Sequence, residues 1–224
     1  MKSEMRRAFA EGWPVLVTAM VVGMAFGIAA REGGLSALEA SGMSILIFAG
    51  AAQFAAVDLI ARGAPPVLVV GTVLLLNLRH LLMGASLRAH LGERPIGVRL
   101  LAAYLLTDES FALGIARYRR AGHGVAYYLT FAAALWACWN VGTLLGATVV
   151  SGTIDPKRFG LDFAITATFV AIVALGIRGR TDFAVALIAV VVAGVLRLAG
   201  ASTIAVVAAG ALAPLVAVAW RRRQ

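Results

Sequence analysis

Val67-Leu68-Val69-Val70-Gly71-Thr72-Val73-Leu74-Leu75-Leu76 carries no charge, and it runs straight into Asn77-Leu78-Arg79-His80. With its flanks, Pro65–Gly84, it has the length that an α-helix needs to cross bilayer hydrocarbon, roughly 20 predominantly apolar residues. A buried soluble helix can be as apolar over a short run, so the rest of the chain decides the solvent. Of 224 residues, 61% are hydrophobic and 14% charged, and the mean hydropathy is +0.91. Soluble domains average about 45–50% apolar and about 25% charged residues. Too little polar surface remains to coat a globule, and the bilayer is the solvent that fits.

Working outward from this segment, seven more follow the same pattern: Trp13–Ala30, Gly42–Ala61, Gly97–Ala116, Val125–Val150, Phe159–Ile177, Phe183–Leu196 and Ile204–Trp220. The turns between them are short, such as Arg31-Glu32-Gly33-Gly34, Arg62-Gly63-Ala64 and Gly92-Glu93-Arg94-Pro95, and none has room for a soluble domain. The expected fold is an all-α integral membrane protein, a bundle of about eight transmembrane or partly re-entrant helices. Residues 1–224 form a single polytopic domain in this reading. The first apolar segment follows Lys2, Arg6 and Arg7, as in a signal peptide, but reads as an uncleaved span because similar segments follow it.

The net charge is +9. The basic residues sit in short loops rather than on a basic helix face, so the charge speaks for membrane orientation and not for nucleic acid. If all eight segments span, one side holds Lys2, Arg6, Arg7, Arg62, Arg117, Arg119, Arg120, Arg178, Arg180 and Arg221 to Arg223. The other holds Arg31, Arg88, Arg94, Arg99, Lys157, Arg158 and Arg197. The excess places the N-terminus in the cytoplasm, with the Arg88–Arg99 region as the main exception. That exception disappears if an early segment dips in and returns. Trp13, Trp220, Tyr118, Tyr127 and Tyr128 fall at segment ends, where aromatic rings favour the headgroup level. Trp136 and Trp139 lie deeper and are expected to face other helices. The single cysteine, Cys138, allows no intrachain disulfide and reads as a packing residue.

Gly23 and Gly27 form a small-xxx-small pair in the first segment, and Gly142 and Gly146 repeat it in the fifth. Other matches recur about half a chain apart, so the pattern is compatible with a four-plus-four duplication with halves 1–120 and 121–224. Transporter folds commonly bind their substrate between two such halves.

In such an apolar chain the polar residues within spans are the functional candidates, since a central Asp, Lys or Arg costs about 2.5–3.5 kcal/mol on insertion scales. Three clusters stand out. Gly50-Ala51-Ala52-Gln53-Phe54 combines close backbone approach with one carboxamide, Gln53; Asp58 beyond it reads as interfacial. Asn77-Leu78-Arg79-His80 holds a guanidinium that cannot deprotonate and an imidazole that can carry a proton. Thr107-Asp108-Glu109-Ser110 falls in mid-segment, either on one helix or in a turn between two half-length helices. Asp108 or Glu109 can pair with Arg79 or accept a proton. Asn140 reads as an interhelical hydrogen-bonding residue, and Asp162 as a complement to a helix N-terminus. His80, His90 and His123 stand too far apart in sequence for metal-ligand spacing. No nucleophile elbow or phosphate-binding glycine loop is present, so no cofactor and no catalytic role are expected. A channel, an exporter of another solute, a scaffold subunit and an intramembrane acid–base enzyme remain the competing readings.

Taken in order, these stretches resemble the AzlC family. The resemblance rests on Pro14 with Phe26-Gly27, Phe48-Ala49-Gly50-Ala51-Ala52-Gln53-Phe54, Leu76-Asn77-Leu78-Arg79-His80-Leu81-Leu82, Leu106-Thr107-Asp108-Glu109-Ser110-Phe111-Ala112 and Gly160-Leu161-Asp162-Phe163. It implies the large subunit of a branched-chain amino acid exporter in the bacterial inner membrane. It also implies a small AzlD-type membrane subunit as partner and coupling to the proton motive force. On that expectation Gln53, Asn77, Arg79 and Asp108 meet the substrate, while His80, Asp108 and Glu109 are the proton-coupling candidates.

Overall fold

The computed structural model describes residues 2–121, 124–150, 177 and 179–199. All the regular structure among these residues is helical. The helices are α1 (Lys2–Glu32), α2 (Ala37–Leu46), α3 (Gly50–Ala61), α4 (Pro66–Asn77), α5 (Arg79–Leu91), α6 (Ile96–Tyr104), α7 (Asp108–Ala121), α8 (Val125–Leu145) with a π-helical turn at Gly146–Val150, and α9 (Arg180–Leu198). The chain divides into two compact units, Met1–Asp162 and Phe163–Gln224. In the second unit the described part is essentially α9, whose 19 residues are long and apolar enough to cross a membrane. The segments Phe159–Ile177 (apart from Ile177) and Ile204–Trp220 lie outside the described residues, as does Asp162. The proposed duplication therefore has no counterpart to examine for much of its second half.

In the first unit, α1 and α8 form the spine, and both glycine pairs sit in the one interface between them. A Cβ on Gly27 would collide with the Thr143 carbonyl and lie 2.7 Å from the Ala147 nitrogen. A Cβ on Gly142 would meet the Met20 carbonyl, and one on Gly146 the Met24 carbonyl. Where lipid offers no hydrophobic drive between helices, such backbone contact supplies dispersion energy that bulky side chains would forbid. Gly12 faces Phe131, Gly23 faces Trp139 and Gly27 faces Thr143, so both numbers rise together and the helices run parallel.

Against this spine the second and fourth apolar segments are not single helices. Gly42–Ala61 is broken at Phe48, whose φ is 41°, and at Ala49, which is extended. The chain leaves α1 at Glu32, and a Cβ on Gly33 would lie 2.8 Å from Val57 on the later part of α3, whereas Gly50 touches Trp139 halfway down the spine. The pair α2–α3 therefore enters from the far end of α1, turns at mid-depth and returns. Gly97–Ala116 is broken at Leu105–Thr107. Arg117 near the end of α7 donates from Nε to Glu4 at 2.9 Å. The loop before α6 (Gly92, Glu93, Arg94) and Glu4 line a common open cavity of about 990 Å³. The pair α6–α7 thus enters from the N-terminal end and returns to it. Tyr104 at the tip of this second hairpin donates its hydroxyl to the Ile45 carbonyl at the tip of the first, so the tips meet. Between the hairpins, α4 and α5 cross the molecule as one apolar stretch of 26 residues, Pro66–Leu91, interrupted at Leu78.

Six of the eight expected segments fall within the described residues, and all six are helical, with the second and fourth folded as re-entrant hairpins. The charge assignment made with eight full spans needs correction. Among the described residues of this unit, Lys2, Arg6, Arg7, Arg88, Arg94, Arg99, Arg117, Arg119 and Arg120 gather at the N-terminal end. Only Arg31 and Arg62 lie at the opposite end. The Arg88–Arg99 exception is gone because the second segment, Gly42–Ala61, turns back.

Candidate functional site

All three polar clusters lie where a helix is interrupted at depth. Irregular backbone within a membrane survives only where protein or water covers it, and transporters place binding sites at such interruptions.

At the second hairpin, Arg79 Nη1 lies 2.8 Å from Asp108 Oδ2, with the two side chains 45% and 49% exposed. Arg79 opens α5 just after the interruption at Leu78, and Asp108 opens α7 just after the interruption at Thr107. The carboxylate at the first position of α7 also complements the positive end of that helix. The question left open by sequence, which of the two carboxylates meets Arg79, is resolved for Asp108; Glu109 is its exposed neighbour. The turn itself is held by uncharged side chains. Ser110 Oγ accepts from the Thr107 amide at 2.8 Å and donates to the Leu105 carbonyl at 3.0 Å, and the Ser110 amide donates to Thr107 Oγ1 at 3.3 Å. A small residue that caps its own turn can thus be fully buried there.

On the crossing helices, His80 Nδ1 lies 3.2 Å from the Asn77 carbonyl, a local contact across the interruption. Asn77 Oδ1 is buried and has no hydrogen-bond partner.

At the first hairpin, Gln53 is fully buried. Its Nε2 donates to Ser44 Oγ at 3.0 Å, and Trp139 Nε1 donates to the same oxygen at 3.2 Å. Those two donors fill the acceptor positions of Ser44 Oγ, and its single hydrogen then serves Thr143 Oγ1 at 2.8 Å. Gln53 Oε1 has no partner. Phe26 seals the cluster, edge-on to Phe54 at 5.5 Å and stacked with Trp139 at 6.3 Å. A Cβ at Gly50 would lie 2.8 Å from the Trp139 ring, so the glycine is what lets the indole reach the break.

Of the residues expected to meet substrate, Arg79 and Asp108 form an ion pair, Gln53 bonds to Ser44, and Asn77 joins neither set. Tyr104 joins the second hairpin to the first and to α8: it donates to the Ile45 carbonyl and accepts from Trp136 Nε1 at 2.9 Å. Sequence reasoning missed Ser44, Thr143 and Tyr104. The available signal was on α8, where Trp136, Trp139 and Thr143 share one face at helical spacing. Asn140 is a correction: its Nδ2 donates to the Trp136 carbonyl of its own helix at 2.9 Å, not to a neighbour. Asp58 does behave as an interfacial residue, pairing with Arg62 in the exposed turn after α3. No group of three or more His, Cys, Asp or Glu side chains fit for a metal occurs among the described residues.

Comparison with known proteins adds the following. The family model described as AzlC protein matches residues 14–152. The inner membrane protein YgaZ of Escherichia coli is 28% identical over 93% of this chain and 88% of its own length. The branched-chain amino acid transport protein AzlC of Bacillus subtilis is 28% identical over 75% of this chain and 65% of its own. An uncharacterized membrane protein of Archaeoglobus fulgidus is 29% identical over 78% of this chain and 77% of its own. No solved structure matches the chain.

Proposed function

The chain belongs to the AzlC family, and on that premise we propose that it is the large subunit of an inner-membrane exporter of branched-chain or similar apolar amino acids. The relative from Bacillus subtilis carries the name of a branched-chain amino acid transport protein, which supports the substrate class. The partner is a small AzlD-type membrane subunit. Among the described residues of the first unit, nine basic side chains lie at the N-terminal end and two at the other, which by the positive-inside rule supports a cytoplasmic N-terminus.

The observation that carries the reading is the Arg79–Asp108 pair between the crossing helices and the tip of the second hairpin. A zwitterionic substrate needs a cation for its carboxylate, and Arg79 is the cation at depth. While Asp108 is ionised it holds that guanidinium. The substrate carboxylate competes with that of Asp108 for the one guanidinium, so amino acid binding and the protonation state of Asp108 are linked. Gln53 and Asn77 complete the polar end, and His80 and Glu109 flank it as further proton carriers. The test is efflux of labelled leucine, valine and isoleucine from preloaded cells, with and without the small subunit and a protonophore. Protonophore-sensitive efflux that requires this chain is the expected result. Unchanged efflux with the protein present in the membrane would remove the branched-chain substrate.

A further inference from the structure

Two carboxamide oxygens, Gln53 Oε1 and Asn77 Oδ1, are buried without a hydrogen-bond partner. They are not scattered. α3 and α4 are consecutive antiparallel helices joined by the Arg62–Pro65 turn, so the first turn of α3 lies beside the last turn of α4. Gln53 is in that first turn, and Asn77 is the last residue of α4. The carboxamide of Gln53 is held across the break by Ser44 through its nitrogen, which leaves the oxygen as the free end. Asn77 stands two residues from Arg79. A buried acceptor without a donor is costly, so each oxygen is a standing demand for a donor.

We infer that these two oxygens form the subsite for the substrate's α-ammonium group. This rests on the amino acid reading above and deepens it. A primary ammonium has three hydrogens to donate and no acceptor capacity, which matches two acceptor oxygens that offer no proton. The carboxylate of the same zwitterion lies a few ångströms from its amine, as Asn77 lies close in the chain to Arg79. The assignment also separates two roles that one carboxylate would otherwise carry together. Uncharged amide oxygens hold the amine, and Asp108 stays free to exchange its proton.

The experiment measures binding of leucine, isocaproate (leucine without the amine) and isoamylamine (leucine without the carboxylate) to the full-length protein. The three ligands are compared for wild type, Gln53→Leu, Asn77→Leu and Asn77→Asp. Wild type is expected to bind leucine at least about tenfold more tightly than isocaproate. Both leucine substitutions bring the two ligands to equal affinity by weakening leucine alone. Asn77→Asp, which adds a charge for the amine, strengthens isoamylamine. Equal binding of leucine and isocaproate by wild type overturns the inference without needing any variant to fold. So does an unchanged ratio in folded Gln53→Leu and Asn77→Leu, and in either case leucine binding itself leaves the transport reading standing. Wild-type protein that binds no leucine overturns the amino acid reading and this subsite with it.

Discussion

The hairpin α2–α3 turns on Ile47-Phe48-Ala49, which bring no charge and no hydrogen-bonding side chain, whereas α6–α7 turns on Leu105-Leu106-Thr107 and sets Asp108 and Glu109 at once into the next helix. The first turn is buried at Phe48 and Ala49 and is fastened to α8 from outside, through Ser44, Thr143 and Trp139. The second is fastened from within, by Ser110 and Thr107, and its charged residue stays half exposed beside Arg79. The same device, a helix interrupted at depth, is thus held rigid at one site and left with a titratable, separable contact at the other. A transporter needs both: a fixed frame and a contact that can open.

The largest effect tests whether the hairpins exist as hairpins. With Cys138→Ala as background, single cysteines replace Ser3, Gly63 and Glu93, and a membrane-impermeant thiol reagent is applied to oriented vesicles. Glu93→Cys should label from the same face as Ser3→Cys and Gly63→Cys from the opposite one, in an all-or-none pattern. Eight full spans require the reverse assignment for both, so the same data would sink the hairpins if it appeared.

Next comes the charged break. Arg79→Ala should reduce labelled leucine efflux by about a hundredfold, since removing the cation that pairs with the substrate carboxylate costs several kcal/mol. Its melting temperature should barely move, because a half-exposed ion pair contributes about 0–1 kcal/mol to stability. A large loss of stability with efflux retained would make the pair a structural strut and dissolve the contrast with the first hairpin.

This contrast also explains what could be read without a structure. The charged cluster Thr107-Asp108-Glu109-Ser110 stood out because carboxylates at depth are expensive; sequence left open whether it lay on one helix or in a turn, and which of Asp108 and Glu109 would pair with Arg79. The small-residue pairs in the first and fifth segments were visible too, though their meeting in one α1–α8 interface was not. For the first break, the charge pattern allowed an early segment to turn back but did not say where. From Gly42 to Ala61 hydropathy is continuous, and neither proline nor glycine stands at the turn point. Phe48 adopts φ 41°, a conformation that costs a non-glycine residue of order 1–3 kcal/mol. Only burial of its side chain and the contacts of its neighbours with α8 hold it there, and a local sequence pattern does not report such tertiary support. Gln53 was found because it is polar, but its partner Ser44 was overlooked because a single serine in a span reads as packing.

A smaller effect separates the two means of holding a turn. Ser110→Ala leaves the Thr107 amide and the Leu105 carbonyl without the hydroxyl that joins them, and should destabilise the protein by about 1–3 kcal/mol. A thermal or denaturant melt in detergent measures it. Efflux at a temperature well below the melt should persist, because the Arg79–Asp108 contact does not pass through Ser110. Loss of efflux from a folded Ser110→Ala protein would mean that the turn geometry itself aims Asp108.

The smallest effect concerns the outer end of the first hairpin. Arg62 donates to Asp58 from Nε at 3.0 Å and from Nη2 at 2.7 Å. The side chains are 55% and 49% exposed, about as open as Arg79 and Asp108. By exposure alone the two pairs are alike, and both should contribute little to stability. Their placement differs: Arg62 and Asp58 belong to one helix end at i and i+4, so their pairing joins no moving parts. Arg62→Ala should therefore shift stability by no more than about 0.5 kcal/mol and leave efflux within about twofold of wild type, as measured side by side with Arg79→Ala. If both substitutions abolished efflux alike, depth and the joining of separate elements would not be what makes an ion pair functional here, and the assignment of Arg79 to the substrate would lose its physical basis.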